Sequence, residues 1–305
     1  MEDREPALAD RISTLRKRRN AVILAHNYQV GDVQDIADFV GDSLELSQKA
    51  AETGADVIVF CGVHFMAETA SILCPDKVIL LPDANAGCPM ANMVTAEGLR
   101  EKKREHPGAV VVCYVNSPAA VKAESDICCT SANAVAVVES LDTPEILFVP
   151  DQYLGHYAAE RTGRKMILWP GFCPTHANIM PGRIEELKRE HPGARVVVHP
   201  ECRPEVIALA DEVASTGGMC RYARRDDVTE MIVGTEKGII HRLKKENPGK
   251  KFIPVSERTV CPNMKLITLE KVLWCLEEMS PEVKVPEETR LRAKAAVDKM
   301  LRVKS

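Results

Sequence analysis

The chain has 305 residues, 45% apolar and 28% charged, with 40 Lys and Arg against 44 Asp and Glu for a formal charge of −4. Such a make-up supplies ample core material but no long-range field to attract nucleic acid, so any anionic ligand has to be held by local groups. The charged opening Met1-Glu-Asp-Arg-Glu-Pro6 has no apolar signal core, and no apolar run reaches the roughly 18 residues of a membrane span, so a cytoplasmic protein with no membrane partner is expected.

Residues 7 to 19 place Leu8, Ile12 and Leu15 on one face and predict an opening amphipathic helix. The run Ala21–Ala25 is a buried strand ending at His26. A short helix from Val33, a small strand near Phe39, a helix from Ser43 to Glu52, a strand from Val57 to Cys61, a helix from His64 to Leu73 and a strand from Val78 to Leu81 follow. The same succession is read from strand Val110–Tyr114 to strand Met166–Trp169, and again, more faintly, from Val196–His199 to Phe252–Val255. Leu266 to Glu278 is expected to be helical, and a Pro-marked linker at 281 to 286 leads to a last helix over 287 to 302.

The succession is an internal repeat. Arg104-Glu-His-Pro-Gly-Ala109 returns as Arg189-Glu-His-Pro-Gly-Ala194, a shift of 85 residues that also carries Cys88 onto Cys173. The trios His26/Asp38/Ser43, Tyr114/Asp126/Ser131 and His199/Asp211/Thr216 share spacings of 12 and 17, and a Cys-Pro pair follows each hydroxyl residue 45, 42 or 45 positions later, at Cys88, Cys173 and Cys261. A period of this length is that of a small α/β unit rather than a solenoid repeat. The expected architecture is an N-terminal helix (1–20), three homologous αβα units with parallel sheets (21–108, 109–193, 194–280) and a linker with a C-terminal helix (281–305). The units are expected about a pseudo-threefold axis with the site at its centre, because parallel sheets bind ligands beyond the carboxyl ends of their strands.

Eleven cysteines, an odd number without an export signal, argue against a disulfide framework. Cys61, Cys113 and Cys275 sit in apolar runs and read as small core residues, and Cys128-Cys129 as part of a buried strand, with a strained vicinal disulfide as the alternative. The three Cys-Pro residues, one per unit, lack the close pairing of a zinc finger and suit an iron–sulfur cluster at an interface. With three thiolates for a 4Fe-4S cluster, one iron stays open and can act as a Lewis acid. Proline after each cysteine favours an extended cysteine backbone.

Ser43, Ser131 and Thr216 fall where helices begin, so each is expected to cap its helix and to face an anion; Gly217-Gly218 would let the backbone approach such a ligand closely. His26 with Tyr28, Tyr114 with Asn116, and His199 with Glu201 offer proton-moving groups at the ends of first strands. His176, three residues beyond Cys173, is a further candidate, whereas His64, His156 and His241 read as surface or core residues.

The segments Ala25-His-Asn-Tyr-Gln29, Gly41-Asp-Ser43, Tyr114-Val-Asn-Ser-Pro118, Gly171-Phe-Cys-Pro-Thr-His176, His199-Pro-Glu201, Ser215-Thr-Gly-Gly-Met219, Thr235-Glu-Lys-Gly238 and Cys261-Pro-Asn-Met264 together resemble the quinolinate synthase family over about residues 20 to 302. The Cys128-Cys129 pair is a local departure from it. The resemblance implies condensation of iminoaspartate with dihydroxyacetone phosphate, losing phosphate and water to give quinolinate for NAD biosynthesis. It also implies a 4Fe-4S cluster on Cys88, Cys173 and Cys261, and an aspartate oxidase or dehydrogenase supplying the imine. Substrate contacts would be His26, Ser43, Tyr114, Asn116, Ser131, His199, Glu201 and Thr216. Glu201 would be the base, His199 would position an oxygen, and Tyr28 and Tyr114 would be acids. A non-catalytic cluster sensor or carrier, or a zinc-dependent lyase, would use the same cysteines.

Overall fold

The structure is a computed structural model that describes residues 7–303; Met1–Pro6, with the charged opening segment, lies outside the described residues. Twelve strands form three parallel sheets of four. The first holds β1 (Ala21–His26), β2 (Phe39–Gly41), β3 (Val57–Cys61) and β4 (Val78–Leu80). The second holds β5 (Val110–Tyr114), β6 (Ile127–Cys129), β7 (Ile146–Val149) and β8 (Ile167–Leu168). The third holds β9 (Arg195–Val198), β10 (Glu212–Val213), β11 (Glu230–Gly234) and β12 (Lys251–Pro254). The three spatial orders, β2-β1-β3-β4, β6-β5-β7-β8 and β10-β9-β11-β12, are the same order repeated.

The strands are apolar on both faces because helices cover both faces. In the third sheet, Val196, Val198 and Ile232 pack with Ile184, Leu187 and Val206 from the helices Pro181–Glu190 and Pro204–Ile207. Their neighbours Val197, Met231 and Val233 belong instead to the large core that also takes in Met219, Ala223, Ile239 and Leu243 from Thr216–Ala223 and Ile239–Glu246. This alternation is the two-residue period of a strand read on both sides. Each fully buried aliphatic side chain contributes about 1.5–3 kcal/mol. The C-terminal helix Glu287–Arg302 packs on β6 and on the helices His64–Leu73 and Ala119–Lys122, tying the first two units together. The N-terminal helix Leu8–Arg18 packs on Leu269–Glu278. No helix among the described residues is long and apolar enough to cross a membrane.

The repeated aspartates have a structural task. Asp38, Asp126 and Asp211 each accept, on Oδ2, the backbone N–H of a residue in the first strand of their unit: Ile23 at 2.8 Å, Val111 at 2.8 Å and Val196 at 2.7 Å. Each aspartate returns its own N–H to the carbonyl of the same residue. This exchange starts the pairing of the second strand with the first and fixes its register, which explains the constant spacing of 12 from strand end to aspartate. The boundaries differ from expectation mainly at short pieces. Beta-strand 8 has only two residues, and 262–266 is a 3-10 turn ahead of the helix Leu269–Glu278 rather than its first turn.

Asp211→Ala removes an ionised acceptor from the Val196 N–H and should lower unfolding free energy by about 1–2 kcal/mol in denaturant titration. An unchanged midpoint would show that the exchange does not hold the strand.

Candidate active site

Beta-strands 1 and 5 end at His26 and Tyr114, and β9 stops one residue short of His199, whose N–H still extends the ladder to Gly234 O at 3.1 Å. The twelve residues proposed from the sequence for metal and substrate, His26, Tyr28, Ser43, Cys88, Tyr114, Asn116, Ser131, Cys173, His199, Glu201, Thr216 and Cys261, all line one cavity of about 70 Å³, together with the further candidate His176. Val63, Phe65, Met66, Met90 and Met264 form its apolar wall, and among the described residues no lysine or arginine lines it. His64, His156 and His241 stay outside.

The cysteines separate into two classes. All eleven are free; Cys88, Cys173 and Cys261 are partly exposed and the other eight are buried. Cys173 (φ −82°, ψ 115°) and Cys261 (φ −87°, ψ 105°) have nearly the same extended backbone, as the following proline requires. Backbone N–H groups two or three residues on face each sulfur: Met90 and Ala91 for Cys88, His176 for Cys173, Asn263 and Met264 for Cys261. Burial nevertheless pushes the Cys88 thiol up to about 12 and raises the other two, so three thiolates here call for a strong cationic partner. Gly171 lies two residues before Cys173, where a Cβ would come within 2.4 Å of Pro150 O, so only glycine lets this loop close on β7's end.

Two histidines have defined tautomers. The N–H of Tyr28 donates to His26 Nδ1 at 3.2 Å, and the N–H of Glu201 donates to His199 Nδ1 at 3.3 Å. Burial, partly offset by Glu201, lowers both rings from 6.5 to about 3, so they are neutral and carry their proton on Nε2. His199 Nε2 lies 3.2 Å from Ser131 Oγ and donates to it, which leaves the serine proton for the cavity.

Glu201 is the hub. Its Oε1 accepts from Tyr114 Oη at 2.6 Å and from Asn116 Nδ2 at 3.4 Å, while His176 Nδ1 lies 2.7 Å from Oε2. Burial would raise this carboxyl, but His176, His199 and Tyr114 outweigh it and hold Glu201 ionised, well below the usual carboxylate range. With Nδ2 turned to the carboxylate, Asn116 Oδ1 is buried and has no protein partner, an acceptor left for a ligand N–H or O–H. The phenols of Tyr28 and Tyr114 are pushed up, first by burial and then by Glu201, so they stay protonated and serve as hydrogen-bond donors.

The hydroxyl residues face the cavity but do not cap helices. Asp42 caps Ser43–Glu52, in a capping box with Glu45, and Ser215 Oγ accepts the Gly218 N–H to cap Thr216–Ala223. Ser131 precedes a helix that starts only at Ala134. Relieved of capping, the three hydroxyls are free for other partners. The Gly pair is corrected likewise: a Cβ on Gly217 would meet Asp42 Oδ2 at 2.7 Å and one on Gly218 would meet Ala214 Cβ at 2.9 Å. Gly217 therefore serves the close packing of two helix starts, joined by Ser215 Oγ donating to Asp42 Oδ2 at 2.9 Å, and Gly218 the turn into its own helix.

Cross-unit partners were not legible from spacing. Thr235 Oγ1 lies 2.8 Å from His176 Nε2 and 2.5 Å from Tyr28 Oη, linking the third unit to the second and the first. Buried Glu236, paired with Lys265 at 3.0 Å, accepts the N–H of Cys261 and of Gly238. The only signal for either was their place in the Thr235–Gly238 segment.

Folded His26 and His199 resist protonation until about pH 3, and Glu201 until below the usual carboxylate range, whereas the unfolded chain takes up protons from pH 6.5 downward. Their contribution to stability is therefore full above pH 6.5 and lost as pH falls toward 3. The denaturation midpoint should fall steadily over that window; a flat profile would contradict neutral imidazoles at these positions.

The family model of the quinolinate synthetase A protein, NadA, matches residues 10–302. A quinolinate synthase of Dehalococcoides mccartyi strain CBDB1 is 64% identical over 296 residues, covering 97% of this chain and 98% of the relative. One of Methanosarcina barkeri is 58% identical over 297 residues, with 97% and 98% covered, and one of Geobacter sp. strain M21 is 57% identical over 299 residues, with 98% of each covered. The chain belongs to the quinolinate synthase family.

Proposed function

We propose that this chain, in the cytoplasm, condenses iminoaspartate with dihydroxyacetone phosphate to quinolinate with loss of phosphate and water, and that Cys88, Cys173 and Cys261 hold a 4Fe-4S cluster, one cysteine from each of units 21–108, 109–193 and 194–280. The supporting observation is that these three alone of the eleven cysteines are appreciably exposed, and that they share a cavity lined, among the described residues, by no lysine or arginine. Carboxylates Asp42, Glu201 and Glu236 also line it, so two anionic substrates need positive charge that the described side chains do not provide. An iron–sulfur centre fits that donor set, and when bound it supplies an electrophilic iron left open by three thiolates.

The chain's own groups divide the remaining work. Ser43, Ser131 and Thr216 donate hydroxyl protons to carboxylate and phosphate oxygens, and Nε2–H of His26 adds a neutral donor. Asn116 Oδ1 accepts from the imine or a hydroxyl. Glu201 is the proton acceptor, with His176 as its relay across 2.7 Å, and Tyr114 orients the carboxylate. Tyr28 supports His176 through Thr235 rather than acting as a strong acid, since its phenol is pushed up. The apolar wall excludes water from a hydrolysable imine. An enzyme making that imine from aspartate, an oxidase or a dehydrogenase, has to deliver it.

A mononuclear metal is the second reading, because donor atoms of Cys173, His176 and Glu201 lie within 4.8 Å of one another. Metal and sulfide analysis of anaerobically purified protein separates the two. Four irons and four sulfides per chain are expected; one zinc without sulfide would overturn the cluster.

Cys88→Ala, Cys173→Ala and Cys261→Ala should each lose the visible cluster absorption and quinolinate formation in an anaerobic assay. Cys61→Ala and Cys275→Ala should keep the absorption. A full cluster in any of the first three variants, or no quinolinate from intact protein, would contradict the assignment.

A further inference from the structure

Thr216 makes a hydrogen bond whose direction is set two residues away. Its Oγ1 lies 2.8 Å from Asn27 Nδ2, and Asn27 Oδ1 lies 2.8 Å from Arg242 Nη1. Asn27 follows β1 and is fully buried, Thr216 is 2% exposed, and Arg242 comes from the helix Ile239–Glu246. The same Nη1 donates to Val40 O at 2.7 Å and Arg242 Nε donates to Glu246 Oε1 at 2.6 Å, so the guanidinium is held from both sides.

Donor and acceptor inventory leaves one arrangement. A guanidinium only donates, so the Asn27 atom it meets has to be the carbonyl oxygen. The amide nitrogen then faces Thr216, and because it only donates, Thr216 Oγ1 has to accept. A threonine hydroxyl that accepts there still has its proton to give, and among the described residues no protein group takes it. Thr216 lines the cavity, so the proton is available to a ligand there. Ser131 reaches the same state by another route, with His199 Nε2 as the donor.

We propose that Arg242 and Asn27 are positioning residues that orient the Thr216 hydroxyl as a donor to a ligand carboxylate or phosphate oxygen, an inference that rests on the anion-binding role proposed for Thr216. Neither Arg242 nor Asn27 lines the cavity; both act through Thr216. With this wiring the first unit's strand end and the third unit's helix fix the polarity of one hydroxyl before any ligand arrives, which avoids reorienting it on binding.

The test is calorimetric binding of quinolinate to anaerobically purified holoprotein. Asn27→Asp keeps the shape and the contact with Arg242 but presents an acceptor to Thr216, turning its proton away from the cavity. It should weaken binding roughly 10- to 100-fold, the range for a hydrogen bond to a charged group. Thr216→Val should weaken it comparably, and the double variant should bind no worse than Thr216→Val alone. Unchanged affinity in Asn27→Asp, or a double variant showing the product of the two losses, would overturn the relay. Should Asn27→Asp not fold, Arg242 decides: Arg242→Gln, which can accept as well as donate, frees the Asn27 amide to flip and should weaken binding, and donor-only Arg242→Lys should recover most of that loss. Equal losses in the two would reduce Arg242 to a fold contact. Wild type that binds quinolinate but does not form it contradicts the reaction and not the relay, whereas wild type that does not bind it overturns the relay.

Discussion

A carboxylate buried to 3% exposure is untenable without partners, and Glu201 finds them in two units at once. Tyr114 and Asn116 come from the end of β5, His199 from the end of β9, and His176 from the loop that carries Cys173. His176 passes the connection to Thr235 and Tyr28, and so to the first unit. Satisfying one charge thus draws three sheet edges together, and with them the turns that carry the three cysteines. Removing any one partner would leave a buried charge short of a hydrogen bond, which is why the residues at this centre are so interdependent.

The second constraint is charge. Three sulfurs and three carboxylates surround a cavity lined, among the described residues, by no cationic side chain, and both proposed substrates are anions. Neutral donors answer part of the demand: imidazoles locked as Nε2–H by backbone N–H groups, and hydroxyls freed from capping by Asp42 and Ser215. Lys265 and Arg242 sit just behind, neutralising Glu236 and Glu246 and fixing Asn27 rather than meeting the ligand. The remaining positive charge is what an iron–sulfur centre would bring.

Much of this was legible in the sequence because a repeat converts spacing into geometry. Equal distances from strand end to aspartate to hydroxyl, and nearly equal ones on to Cys-Pro, put equivalent residues on equivalent edges, and the four-strand order recurs in all three sheets. Contacts between units obey no spacing, so His176 was only a weak candidate, Thr235 and Asn27 were marked only by lying in the family-like segments Thr235–Gly238 and Ala25–Gln29, and Arg242 carried no functional signal. Propensity also misled locally. Ser43 and Thr216 are good capping types, yet each stands one residue inside a helix capped by a better-placed neighbour. Gly217-Gly218 suggested a ligand cradle, where Gly217 instead admits a second helix start and Gly218 the turn into its own helix. Beta-strands 8 and 10, two residues each, are too short for periodicity to bound.

The central proposal is that the three repeat-related cysteines, Cys88, Cys173 and Cys261, would hold a 4Fe-4S cluster with one iron left without a protein thiolate. Mössbauer spectroscopy of iron-57-loaded, anaerobic protein titrated with quinolinate measures this directly. One iron site of four should change its signature on addition while the other three stay as they were. Four irons in thiolate-like environments, all indifferent to quinolinate, would contradict it.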